Sequence, residues 1–139
     1  MTDLEQAERL LRQRECTCVL VRGKTVYESR DRGIGPLMQW LESGTDCSGF
    51  SAADKVVGRA TAFLYARLGI KAVWAQTMSA GAVAVLDAMH IPHSCETQVE
   101  AILNRKKDGF CPMESAVRSV EDPDEAFRIL SEKYHSMNR

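Results

Sequence analysis

The chain has 139 residues, a formal net charge of −1, 45% hydrophobic and 27% charged residues, the make-up of one globular domain able to bury an ordinary core. Near-neutral charge without a basic face excludes the electrostatic footprint of a nucleic-acid or membrane-surface binder, and no apolar run approaches a membrane span. Five cysteines is an odd number without disulfide-framework spacing, and the start Met1-Thr2-Asp3-Leu4-Glu5 is acidic and helix-patterned, so the expectation is a cytoplasmic protein with reduced thiols.

Leu4, Ala7, Leu10 and Leu11 fall at helical spacing and predict an amphipathic helix over residues 3–14. Residues 16–21 read as a buried strand, Gly23-Lys24 as a turn, and residues 25–29 as the returning arm of a hairpin. A polar loop over 30–35 leads to Pro36, which opens a short helix over 37–42. A second loop over 44–49 contains Cys47.

Residues 51–68 read as one central helix. Ser51 with Asp54 three residues later is a capping-box variant, Val56, Val57, Ala60, Phe63, Leu64 and Leu68 supply an apolar stripe, and Gly69 can end the helix. A strand over 70–76 with Trp74 in it follows, then a helix over 79–89 capped by Thr77 or Ser79, then a strand over 91–97. Residues 99–103 fit either strand or helix, and residues 105–109 form a charged turn. Two final helices start at Pro112 and Pro123, the second ending near Tyr134. A hairpin followed by alternating strands and helices predicts an α/β fold, a three-layer α/β/α sandwich with a mixed sheet. It forms a single domain over 1–139, with an N-terminal helix within 1–15 and a C-terminal helix within 121–139.

Three placements depart from good helix building. A mid-helix Gly58 costs about 1 kcal/mol relative to alanine and implies a close approach to the backbone. Lys55 and Arg59 form a like-charge pair near the positive end of the helix dipole, which a bound anion would relieve. The plainer alternative is that Asp54 is only a cap and both cations are solvated. Thirdly, Cys111-Pro112-Met113-Glu114 puts a cysteine at an N-cap and Glu114 at the third helical position. Cysteine is a poor cap, but a helix start lowers a thiol pKa, so Cys111 is a candidate nucleophile or redox-sensitive thiol; the alternative is a half-buried structural cysteine. Arg105, Lys106 and Lys107 offer charge nearby for an anion, or are simply solvated. Cys16 with Cys18 and His93 with Cys95 could supply four zinc ligands from two neighbouring strands, but buried strands explain them better, and no metal site is expected.

Asp54-Lys55-Val56-Val57-Gly58-Arg59-Ala60, the strand and Met78-Ser79 turn after it, and Asn104-Arg105 leading to Cys111-Pro112-Met113-Glu114 resemble the uncharacterised prokaryotic family DUF1893. The resemblance runs over about residues 17–120 and implies a cytidine-deaminase-like fold. Zinc deaminases carry His-x-Glu and Pro-Cys-x-x-Cys at two facing helix starts. The segments that correspond here, around 51–55 and 77–81, hold neither the zinc ligands nor the catalytic Glu, so deamination by the zinc route is not expected. Arg59 stands where the family more usually has Lys, and residues 99–103 depart from its aromatic-containing version.

The resulting expectation is a metal-free, cofactor-free deaminase-fold domain that binds a small anionic or nucleotide-like ligand at facing helix starts. Cys111, Asp54 and Glu114 are the candidate catalytic residues; Lys55, Gly58, Arg59, Ser79, Asn104 and Arg105 are the candidate ligand-binding residues. The competing expectation is a non-catalytic interaction domain whose outer helices, from Leu4 and Glu125, serve a partner or a homo-oligomer.

Overall fold

The structure, a computed structural model, describes residues 1–104, 106–107, 109 and 111–138. A five-stranded mixed sheet is built from β1 (Cys18–Arg22), β2 (Thr25–Ser29), β3 (Ser51–Val57), β4 (Ala72–Ser79) and β5 (His93–Val99), in the spatial order β2-β1-β3-β4-β5. β1 runs antiparallel to both β2 and β3, whereas β3, β4 and β5 are parallel. The parallel half is linked by the helical crossovers such pairing needs, α3 (Arg59–Leu68) and α4 (Ala80–Ala88). The remaining described helices are α1 (Asp3–Gln13), α2 (Gly35–Ser43), α5 (Pro112–Ala116) and α6 (Pro123–Met137).

Side-chain alternation along the strands divides the core in two. Val19, Val21, Ala53 and Trp74 point to one face, where Ala7, Leu10 and Leu11 of α1 cover them. Cys18, Leu20, Ala52, Val73 and Ala75 point to the other, against apolar side chains of α2 to α6, Phe63, Leu64 and Leu86 among them. Each fully buried Val, Leu or Phe among them contributes about 1.5–3 kcal/mol.

Local chemistry sets most boundaries. Thr2 and Glu5 form a reciprocal capping box on α1. Gly44 and Gly69 end α2 and α3 in the left-handed conformation, with φ of 71° and 76°. Asp122 caps α6 by accepting from the Glu125 N–H at 3.1 Å, and Pro123 occupies its first turn. The ends at Gly69 and at Asp122-Pro123 are those read from the sequence.

The central helix does not. Residues 51–57 are the middle strand of the sheet, and α3 begins only at Arg59. Ser51 and Asp54 therefore form no capping box, and Gly58 is the N-cap of α3 rather than a mid-helix residue. The physical reason is burial on both faces: a central strand with Ala52 and Ala53 on opposite sides shows no polar alternation, so its period is unreadable. The four-ligand metal arrangement also fails. β3 and β4 separate β1 from β5, and Cys16 and Cys18 belong to opposite halves of the core.

Candidate functional site

A cleft of about 370 Å³ opens at the carboxyl ends of the three parallel strands. Each strand delivers part of it. The turn after β3 brings Arg59, the end of β4 brings Ser79 and then Gly81, and the end of β5 brings Glu100 and Ala101. α5 closes the fourth side with Glu114, Ser115 and Arg118 just beyond it. The lining thus pairs two guanidinium groups with two carboxyl groups.

The two crossover helices start side by side on this cleft. Ser79 caps α4, its hydroxyl accepting from the Ala82 N–H at 3.1 Å. α3 has no local side-chain cap because Gly58 has none to offer. Its cap comes from 55 residues further on: the Arg59 N–H donates to Oε1 of Glu114 and the Ala60 N–H to Oε2, each at 2.7 Å. A carboxylate at a helix start satisfies two orphan donors and meets the positive end of the dipole. A Cβ on Gly58 would lie 2.3 Å from Glu114 Oε1, so only glycine leaves room for this arrangement. Gly81 reflects the same crowding, since a Cβ there would lie 3.3 Å from the Cβ of Arg59. Burial pushes the Glu114 pKa up, against the two backbone N–H groups and the Arg59 charge, which pull it down.

The Arg59 side chain faces the same junction. Its Nε donates to the Val117 carbonyl at 3.0 Å, one terminal nitrogen reaches the Gly81 carbonyl at 3.4 Å, and the other donates to the Val120 carbonyl. The guanidinium also lies over the Phe63 ring, 5.0 Å from its centroid. Arg59 therefore donates to carbonyls of the turn that follows α5, where the Val117 carbonyl also accepts from the Val120 N–H at 3.1 Å.

Of the residues singled out from sequence, the fold gathers Gly58, Arg59, Ser79 and Glu114 at one place. Asp54 and Lys55 go elsewhere, to opposite faces of β3. Asp54 is buried beneath the sheet, where Tyr65 donates to its Oδ2 at 2.6 Å and the Val56 N–H to its Oδ1 at 3.2 Å. The Cys18 thiol lies 3.0 Å from the same Tyr65 oxygen. Burial raises the Asp54 pKa to about 6, and it pushes Tyr65 and Cys18 well above their ordinary values. Lys55 is exposed on the α1 side, in a separate cleft with Leu11, Arg12, Glu15, Trp74 and Gln76.

Cys111 does sit at the N-cap of α5, without a side-chain cap hydrogen bond. It is half-buried against the main core, its N–H donates to the Ile102 carbonyl at 3.1 Å, and it is not among the residues lining the cleft. Asn104 closes a turn, its N–H donating to the Gly109 carbonyl at 2.9 Å and its carbonyl accepting from the Lys107 N–H at 3.0 Å. Arg105 lies outside the described residues. Sequence reasoning missed Tyr65, Arg118 and Glu100. Tyr65 carries no visible signal while Asp54 is read as a helix cap, and the other two are ordinary surface charges until the strand ends bring them together. Among the described residues, no three His, Cys, Asp or Glu side chains gather in a way that would hold a metal ion. No described helix is long and apolar enough to cross a membrane.

The model of the family TM1506, a domain of unknown function (DUF1893), matches residues 6–134. The chain belongs to the DUF1893 family. A DUF1893 protein from Thermotoga maritima, known from its crystal structure, superposes with a TM-score of 0.86 at 23% identity, covering 96% of this chain and 91% of that one. At that identity the likeness establishes a shared family fold and nothing of its chemistry. No curated protein matches this chain.

Proposed function

We propose that this DUF1893 protein is a metal-independent binding domain with a cytidine-deaminase-like architecture. Its ligand is a small polar molecule with an anionic, nucleotide-like part, held in the cleft at the carboxyl ends of β3, β4 and β5. One observation supports this most: all three parallel strands and α5 converge on the same concavity, the place where α/β sheets receive ligands. Its mixed lining suits a compound that offers an anion to Arg118 and the start of α4, and donors such as an amino or hydroxyl group to Glu100.

A deaminase of the zinc type needs metal ligands and a free carboxylate at the two helix starts. Those starts here are Gly58-Arg59-Ala60 and Ser79-Ala80-Gly81, which offer no such ligands, while both oxygens of Glu114 are engaged by backbone N–H groups. The residues present do not fit zinc, and the reading includes no step through it. Chemistry at Cys111 gains no support from the lining of the cleft, so binding is favoured over catalysis.

The second reading is a non-catalytic interaction domain, favoured by Glu114 filling the start of α3 from within the chain. Thermal denaturation with a panel of nucleosides and nucleoside monophosphates separates the two. The binding reading expects a saturable rise in Tm for members of the panel that Arg118→Ala abolishes. No rise with any compound, or a rise unaffected by Arg118→Ala, favours the interaction domain.

A further inference from the structure

Glu114 and Arg59 make a pair of crossed contacts between the same two segments. The carboxylate of α5 caps the start of α3, and the guanidinium from the start of α3 caps the carbonyls that follow α5. Neither helix supplies a side-chain cap for its own start. Gly58 gives α3 no side-chain cap, Cys111 gives α5 none, and α5 is only five residues long. A helix of that length has no stability of its own in water. Met113, Val117 and Val120, with half-buried Cys111 beside them, hold the segment onto the main core. The crossed polar contacts add directional links on either side of Ser115, next to the stretch that brings Ser115 and Arg118 into the cleft wall.

From this reciprocity we propose that Gly58, Arg59 and Glu114 form a clasp that joins residues 111–120 to the start of α3 as one local cooperative unit. Glu114 and Arg59 are then positioning residues for the cleft wall, acting through Ser115 and Arg118. The inference rests on the reading of the cleft as a binding site only for its functional meaning. The clasp itself is measured without any ligand, so its failure and the failure of the binding reading are separate results.

The test is amide hydrogen exchange on the full chain, followed residue by residue by NMR. The reporters are Arg59 and Ala60, which donate to Glu114, and Ser115, Arg118 and Val120, whose N–H groups donate within the 111–120 segment. In the unsubstituted protein these five amides share one opening equilibrium, more frequent than that of β3 and β4 amides. Glu114→Ala and Gly58→Ala each raise their exchange at least tenfold while leaving β3 and β4 amides unchanged. Gly58→Ala adds nothing in the Glu114→Ala background, because the atom it collides with is gone. Five unrelated opening equilibria in the unsubstituted protein overturn the proposal even if neither variant folds. So does a rise spread evenly over the sheet, which is what a merely structural contact produces.

Discussion

The hydroxyl of Tyr65 donates to a carboxylate oxygen of Asp54 across 2.6 Å while its own oxygen lies 3.0 Å from the thiol of Cys18. Three titratable groups thus meet beneath the sheet, at the junction of β1, β3 and α3, and all three are buried. The arrangement ties the strand carrying Asp54 to the helix that follows it.

Burial raises Asp54 from 3.8 to about 6 in the folded state. A raised carboxyl pKa means the folded protein holds the proton more firmly than the unfolded chain. Its stabilising contribution is complete below pH 3.8 and is lost as pH rises through about 6. The loss amounts to about 3 kcal/mol at 1.36 kcal/mol per unit. Urea denaturation of the native protein and of Asp54→Asn at several pH values isolates this contribution. The difference between native and variant stability falls by about 2 kcal/mol between pH 4 and pH 7; a difference that grows with pH contradicts the assignment.

Tyr65→Phe removes the shortest hydrogen bond to the buried Asp54 carboxyl and leaves it to the Val56 and Lys55 N–H groups and the Cys18 thiol. A cost of about 1–3 kcal/mol at neutral pH is expected for the lost donor, and the loss of the Tyr65 hydrogen bond, which lowers the Asp54 pKa, moves its titration higher still. Denaturation curves give the first quantity and the carboxyl carbon shift of Asp54 gives the second. A variant as stable as the native protein, with unchanged titration, contradicts both.

Gly58→Ala introduces a carbon 2.3 Å from Glu114 Oε1, and overpacking of this kind costs about 1–3 kcal/mol. Equilibrium denaturation of Gly58→Ala, Glu114→Ala and the double variant forms a closed cycle. The alanine at 58 is expected to be costly beside Glu114 and close to neutral without it, whereas purely additive costs contradict the contact.

Thiol labelling follows burial. Cys16, Cys18 and Cys47 are buried while Cys111 and Cys95 are partly accessible, so a maleimide probe reaches Cys111 and Cys95 first under native conditions. Mass mapping of the modified peptides checks the order, and early labelling of Cys18 speaks against the packing of β1.

Much of the fold is legible in the sequence because its ends are chemically marked. Gly69 stops α3, Asp122-Pro123 starts α6, and Cys111-Pro112 starts α5, each by a local rule that needs no tertiary contact. β3 is the exception. Ser51 and Asp54 imitate a capping box, and a strand buried on both faces has no alternation to oppose that reading. The β-branched pair Val56-Val57 immediately before Gly58 was the available signal for a strand ending there.

The candidate site divides in the same way. Gly58 and Arg59 stand out because each breaks a helix rule, and Glu114 because it follows the poor cap Cys111; the structure supplies the link, since the anion at the bare start of α3 is Glu114 itself. Lys55 breaks no rule once residues 51–57 are a strand, and it faces the opposite side of the sheet. Glu100 and Arg118 were invisible because only the parallel order of β3, β4 and β5 brings them to one cleft.

The central claim is that a small ligand sits at the carboxyl ends of these three strands. The most direct measurement is amide chemical-shift mapping of the isotopically labelled full chain titrated with nucleoside monophosphates. The account predicts saturable shifts concentrated at Ser79, Gly81, Glu100, Ala101, Ser115 and Arg118. Shifts concentrated instead around Lys55, Trp74 and Gln76, or no saturable shift with any compound, contradict it.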